Sequence, residues 1–172
     1  MNSITPNKFS APWGKLLKGT SIFVVLLFAA LIIADSYILR AARVSVWLHP
    51  ATVGGLLAVL LGCLPFVIRG YVITDEGILI RRLWWNTVLP RDSLVSAEVV
   101  PNAMSRSLRT CGNGGLFSFT GFYWNKQIGH YKAYVNDLNR TVVVRTKKRT
   151  AVLSPDDPQA FVDAVNALVM PP

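Results

Sequence analysis

Two long apolar runs near the N-terminus limit what this chain can become. Ser21–Leu39 (SIFVVLLFAALIIADSYIL) and Ala51–Ile68 (ATVGGLLAVLLGCLPFVI) contain no Lys or Arg. At the rise of an α-helix the first run reaches about 28 Å, close to the thickness of a bilayer's hydrocarbon core. A helix satisfies its own backbone polar groups, so such runs are stable in lipid. The pattern predicts a transmembrane helical hairpin over residues 21–69, with the second helix starting as early as Val44 and kinked near its end by Pro65. Arg40, Arg43, His49 and Pro50 mark a short polar connection between the two. A cleaved signal peptide fits less well. Lys8, Lys15 and Lys18 make a basic lead-in, but the run is long, Leu-Ile-Ile-Ala before Asp35 is no small-x-small cleavage site, and a second run comes at once.

Of the 172 residues, 52% are hydrophobic and only 16% charged, against roughly a quarter charged in soluble domains. The excess lies before Arg69, and the rest of the chain has a globular composition. The expected division is therefore residues 1–20 as a cytoplasmic segment, 21–69 as the hairpin, and 70–172 as one domain. The formal charge of +9 raises the question of nucleic acid, but the basic residues flank the apolar runs and no dense basic helix, zinc-finger spacing or RNA-binding aromatic signature accompanies them. Lys8, Lys15 and Lys18 precede the first run, Arg69, Arg81, Arg82 and Arg91 follow the second, and only Arg40 and Arg43 lie between. By the positive-inside rule both termini face the cytoplasm, in a multi-pass protein of the inner (cytoplasmic) membrane. Asp35 is the one acid within a run. An intramembrane carboxylate is a candidate proton or cation relay. Its place about one turn from the run's end equally allows it to reach the interface or to pair with Arg40 or Arg43.

After Arg69 the period becomes that of strands. Tyr71–Thr74, the turn Asp75-Glu76-Gly77 and Ile78–Leu83 read as a hairpin, with Trp84–Leu89 as a further strand. Val95, Ala97 and Val99 alternate with Ser96 and Glu98, as in a half-buried strand. Residues 101–115 read as a long loop ending in Cys-Gly-Asn-Gly-Gly, and Leu116–Thr120, Tyr131–Val135, Arg140–Thr146 and Thr150–Leu153 complete the series. Asn136–Asn139 and Lys147–Arg149 are turns. Asp157 as N-cap with Pro158 at the first helical position opens a helix whose apolar face is Phe161, Val165 and Leu168, stopped by Pro171. The expected domain is a bent antiparallel sheet or open barrel of about seven strands, with this one C-terminal helix plugging an end.

That arrangement resembles the pleckstrin-homology (PH) superfold, and the wording is similar to bacterial PH-like domains found behind transmembrane helices. The resemblance rests on Tyr71–Ile78 (YVITDEGI), on Arg109 with Gly112, Gly114 and Gly115, on Gly121-Phe122, Gly129 and Tyr131, and most specifically on Leu153–Phe161 (LSPDDPQAF). It spans about Tyr71 to Val169. It implies the fold and a membrane-tethered setting, and brings no catalytic residue, cofactor or ligand with it.

The residues themselves point to binding rather than catalysis. Asp75-Glu76 lies in a turn, Asp156-Asp157 caps a helix, and His130 sits in an aromatic strand-like stretch where packing explains it. The two Cys and two His, divided between hairpin and domain, form no zinc pattern, and a Cys63–Cys111 disulfide is not expected. Cys111 is a candidate reactive thiol without a base beside it. The Cys111–Gly115 run can be read as an anion nest or as a hairpin loop needing positive φ, and it lacks a P-loop ending. Lys147, Lys148, Arg149, Arg81 and Arg82 are the candidate contacts to anionic lipid headgroups or a partner, each worth about 1 kcal/mol near such a surface. The Lys147–Arg149 run is read equally well as a solvated turn. Of Trp84, Trp85, Tyr123 and Trp124, most belong to the core, and either Trp84 or Trp85 is left exposed if both lie in a strand. The expected function is a membrane-tethered binding or scaffolding module, without catalysis or cofactor, that holds a protein partner or its own oligomer at the cytoplasmic leaflet. The alternative is a small accessory subunit of a transport or enzyme complex working through the hairpin and Asp35.

Overall fold

The computed structural model describes residues 7–42 and 48–169. In chain order the elements are β1 (Asn7–Ser10), α1 (Lys15–Ala42), α2 (Leu48–Cys63), β2 (Ile68–Thr74), β3 (Gly77–Arg82), β4 (Asn86–Pro90), β5 (Leu94–Val99), β6 (Leu108–Gly114), β7 (Phe119–Asn125), β8 (Gly129–Val135), β9 (Val142–Thr146), β10 (Thr150–Leu153) and α3 (Pro158–Val169). The stretches Lys15–Ile38 of α1 and Leu48–Phe66, which is α2 with the turn that follows it, are long and apolar enough to cross a membrane. Only 11% and 6% of their apolar stretches are buried, so neither is the core helix of a soluble domain. Pro65 does not kink α2 but ends it. Its ring nitrogen has no N–H to give, and the chain tightens into a 3-10 turn over Leu64–Phe66 before β2 begins.

The strands form two sheets, β1-β2-β3-β4 and β5-β9-β10-β8-β7-β6. One core fills the space between them. Tyr71, Ile73, Ile78 and Ile80 of the first sheet meet Ala97, Val142, Val144, Tyr134 and Leu153 of the second, and Phe161, Val165 and Leu168 of α3 close the end. Phe161 is the wedge, standing edge-on to Phe9 at 5.1 Å and to Tyr71 at 5.9 Å between ring centroids. The Tyr71 hydroxyl donates to Tyr134 O at 2.6 Å and accepts from Ser154 N–H at 3.1 Å. Burial pushes its phenol up to about 12, so it remains a neutral donor. A second core lies on the opposite face of the six-stranded sheet, where Phe119, Tyr123, Tyr131, Ala133 and Val152 pack under Leu17 of α1 and Ala103 and Met104. The period of two along each strand is what splits these residues between two cores.

The expected architecture of paired apolar helices, a β-rich domain and a C-terminal helix is the one observed, with Ala160 N–H donating to the Asp157 cap at 3.0 Å. Several details differ. The sheet is not wholly antiparallel, because β10 inserts between β9 and β8 and runs parallel to β8. Leu108–Gly114 is strand rather than loop. Its glycines look like turn residues, yet they allow two backbones to meet: Gly112 stands opposite Gly121, and a Cβ on Gly112 would fall 2.3 Å from Thr120 O. The real turn is Gly115–Ser118, so β7 starts at Phe119, three residues later than expected. Trp84 and Trp85 lie in a bend ahead of β4. His49 and Pro50 belong to the first turn of α2 rather than to the connection. Pro171 lies outside the described residues.

The N-terminal segment is also built into the domain. β1 pairs with β2 from Asn7↔Ile73 to Ser10↔Gly70, and Leu17 is buried. Asn136 joins these parts: its side-chain amide donates to Ala11 O and Ile68 O, each at 2.9 Å, and its backbone carbonyl accepts from Gly14 N–H at 3.0 Å. Two turns into α1, Ser21 accepts from Phe117 N–H at 3.0 Å and Thr20 donates to Gly115 O at 2.9 Å. Beyond Ser21 the helix is largely exposed and leaves the β structure, with α2 beside it.

Candidate functional site

The six-stranded sheet is wider than the sheet packed on it. The first core takes residues from β5, β9, β10 and β8 but none from β6 or β7. Along β7, Phe119, Tyr123 and Asn125 turn to the second core side, which leaves Thr120 and Phe122 on the uncovered inner face. Lys132 of β8 stands opposite Phe122, which in turn stands opposite Cys111 of β6. A cavity of about 580 Å³ results. Its walls are Cys63 and Phe66 at the end of α2, Arg82 at the end of β3, and Arg109, Leu116 and Phe122 from the β6–β7 hairpin. That volume lies in the range of small-molecule sites, where apolar walls carry a few polar groups.

Arg82 dominates the electrostatics. Only 9% of the residue is exposed, and its guanidinium carbon lies 5.2 Å from the Tyr134 ring centroid, 5.7 Å from that of Trp85 and 5.9 Å from that of Phe66. Those rings favour the cation. Burial pulls its pKa below the ordinary value, with Tyr134 opposing, and an arginine stays charged regardless. Its Nε has no hydrogen-bond partner among the described residues, and neither has the buried Thr120 hydroxyl on the same cavity. Ion pairs among the described residues join Asp35, Asp137 and Glu98 to other cations, so Arg82, Arg109 and Lys132 have no carboxylate within 4.0 Å. The cavity therefore offers positive charge, a hydroxyl and aromatic walls, with no acid on its lining. Such a surface suits an anion that carries an apolar part.

The residues singled out from sequence fall in different places. Arg81 and Arg82 are neighbours in a strand and so point apart. Arg82 enters the cavity, whereas exposed Arg81 lines a crevice on the other side with Lys8, Arg69 and Asp156. Lys147, Lys148 and Arg149 are exposed in the β9–β10 turn, held by Lys147 N–H donating to Ser93 O at 2.8 Å. Arg149 leans over Phe122 at 5.8 Å and thus reaches the cavity's rim. Asp35 bridges the two helices: the Thr52 hydroxyl donates to its Oδ2 at 2.7 Å and His49 Nδ1 lies 2.7 Å from the same oxygen. Its expected pairing with Arg40 or Arg43 rests on side chains outside the described residues.

Cys63 and Cys111 are free thiols lining one cavity, and Cys111 lies on β6 rather than in a loop. The glycine run has the positive φ expected of a hairpin, at Gly112 and Gly115, and the N–H groups of Gly115 and Leu116 are taken by Ser118 O and Asn113 Oδ1, each at 3.1 Å, rather than left free for an anion. His130 is exposed beside Trp124 rather than packed. Trp84 and Trp85 are both exposed, and Trp85 also packs edge-on to Phe66 at 5.5 Å. Sequence reasoning missed Lys132, Thr120, Phe66 and Arg109 as site residues, Arg109 having been named only for the family resemblance. One signal was present: Lys132 falls between buried Tyr131 and Ala133, where the strand's other face ought to be apolar if a core covered it.

Residues 69–169, more than half of the chain, match the family model described as a bacterial PH domain. The chain belongs to the bacterial PH domain family. No curated protein and no solved structure matches it. Within this PH domain the match begins at Arg69, so Arg82, Arg109, Thr120 and Lys132 belong to the matched portion. Cys63 and Phe66, the remaining wall, are supplied by the helix that leads into it.

Proposed function

We infer that the chain is a membrane-tethered, non-catalytic binding module whose PH domain works at the membrane face. The two apolar helices span the inner membrane as a hairpin, both termini and the domain lie on the cytoplasmic side, and no cofactor takes part. The observation that supports this reading is the emergence of α1 from the domain as an exposed apolar helix. Residues up to Ser21 are hydrogen-bonded into the β structure, and from Ile22 onward the apolar side chains are largely exposed. A domain joined to its spans in this way is held at a fixed height and tilt. Its uncovered sheet face, at the end of α2, then opens beside the headgroup layer. A tethered surface needs little intrinsic affinity, since the tether raises its effective concentration. Whatever protein partner or second copy it holds is held close to the leaflet.

Insertion is tested by alkaline-carbonate extraction of native membranes and by a C-terminal fluorescent reporter that folds only in the cytoplasm. Retention in the membrane pellet with a bright reporter is expected. Release by carbonate contradicts the spans, and a dark reporter contradicts the orientation. The accessory-subunit alternative makes Asp35 the working group. Its hydrogen bonds to His49 and Thr52 support a structural role instead, as a clamp on the hairpin. Asp35→Asn is therefore expected to weaken helix–helix association by about 0.6 kcal/mol, a typical value for such bonds in membranes. Capture of the module's partner by crosslinking should persist in this variant, and loss of capture would favour the alternative.

A further inference from the structure

We propose that the cavity between the end of α2 and the β6–β7–β8 face binds the phosphate headgroup of an anionic membrane phospholipid, with an acyl chain lying along Phe66 and Cys63. This deepens the membrane-tethered reading and rests on its spanning helices. Three observations converge on it. Arg82 is nine-tenths buried and lines the cavity, with an Nε that no described residue satisfies, and the Thr120 hydroxyl beside it is likewise buried and unpartnered. Unmatched buried donors of this kind are costly unless an acceptor meets them. Arg109 and Lys132 add positive charge, and no carboxylate lines the cavity to compete.

The apolar share of the lining points to the lipid as the source of the anion. Phe66, Leu116 and Phe122 make walls that a small soluble phosphate would leave exposed to water, whereas a glycerol backbone and the first methylenes of a chain would cover them. Phe66 and Phe122 are also partly exposed, at 38% and 44%, so the cavity is open toward α2 rather than sealed. Arginine suits this task, since its planar fork meets two phosphate oxygens at once and it is desolvated more easily than lysine. Arg149 at the rim meets the outer part of the headgroup. Cys111 lies on the cavity wall and is exposed, so it reports occupancy without any engineered label.

The full chain is placed in nanodiscs of phosphatidylcholine alone or mixed with phosphatidylglycerol. The rate at which Cys111 reacts with N-ethylmaleimide, an uncharged reagent, is read from the mass of its peptide. Phosphatidylglycerol is expected to slow the reaction at least about tenfold, as charge-assisted hydrogen bonds to a seated headgroup imply. Arg82→Met, Arg109→Gln and Lys132→Gln, measured singly, are each expected to restore most of the rate. The latter two residues are not fully buried, so the test survives if Arg82→Met misfolds. Equal rates in both discs overturn the proposal, as does protection that none of the three substitutions relieves. Soluble glycerol phosphate protecting equally well in phosphatidylcholine discs overturns it too, because the site then takes a free phosphoester. If the chain inserts and Cys111 stays unprotected, the lipid site alone fails; if the chain does not insert, the tethered reading fails and takes this with it.

Discussion

The inner face of the six-stranded sheet has two halves that share one sheet and one period of two but not their surroundings. Over β5, β9, β10 and β8 it is sealed by the first sheet and α3, and its side chains are Ala97, Val142, Val144 and Leu153, with Tyr134 at the border. Over β7 and β6 the cover runs out, and the same rows end in Thr120, Phe122, Cys111 and Lys132. The sealed half is explained by packing alone. The open half is not: the Arg82 Nε and the Thr120 hydroxyl are buried there without a hydrogen-bond partner among the described residues, a cost that the proposed ligand would offset. The contrast teaches where in one continuous sheet folding ends and recognition begins.

The comparison is broken first by matched truncations. Phe161→Ala, in the sealed half, is expected to destabilise the detergent-solubilised chain by about 3–5 kcal/mol through lost burial and a cavity. Phe122→Ala, in the open half, should change stability by no more than about 0.5 kcal/mol. Chemical denaturation followed by tryptophan fluorescence measures both, and equal losses would mean that the open half is core after all. Next comes the junction that sets the height of the open half. Asn136→Ala leaves the carbonyls of Ala11 and Ile68 without their buried donor, and a loss of about 2–4 kcal/mol is expected. In hydrogen exchange the start of α1 and the start of β2 should loosen together.

The smallest effect is at the edge of the sealed half. Burial would raise the Asp156 carboxyl, but the Ser10 hydroxyl at 2.6 Å and nearby backbone N–H groups outweigh it and hold the carboxyl below its usual value. A depressed carboxylate contributes stability that is fully present above its unfolded value of about 4 and is lost as pH falls through the folded one. Melting curves should therefore drop more steeply below about pH 4 for the parent chain than for Asp156→Asn. Identical pH profiles would show that the tie between β1 and the α3 junction adds nothing.

Much of the frame was legible in residues with strong local rules. The apolar runs read as helices because unbroken hydrophobic stretches of that length are rarely compatible with anything else, and Asp157-Pro158 opened α3 because caps are local. β10 was readable to the residue from Thr150-Ala151-Val152-Leu153. The failures share a different cause. Leu108–Gly114 looked like a loop because glycine disfavours strands on average, and only the partner backbone at Gly121 makes it the right residue. β1 was overlooked because four residues give no period, and its partner β2 lies some sixty residues further on. The site was half legible. Arg82 was named, yet as one of a surface pair with Arg81, since which of two adjacent strand residues faces inward depends on the sheet above. Lys132 and Thr120 join it only through the registers of β7 and β8, which no single segment encodes.

On the proposed reading the open half is kept for an anionic ligand at the cost of some stability. Native mass spectrometry of the full chain, released gently from its own membrane, tests it most directly when Arg82→Met is run beside the parent. A stoichiometric anionic phospholipid is expected on the parent and none on the variant, with a ligand-free stability within about 1 kcal/mol of the parent's because an unpaired buried charge has been replaced by an apolar side chain of similar length. Equal lipid retention by the two proteins, or a parent that carries no anionic lipid, would contradict it.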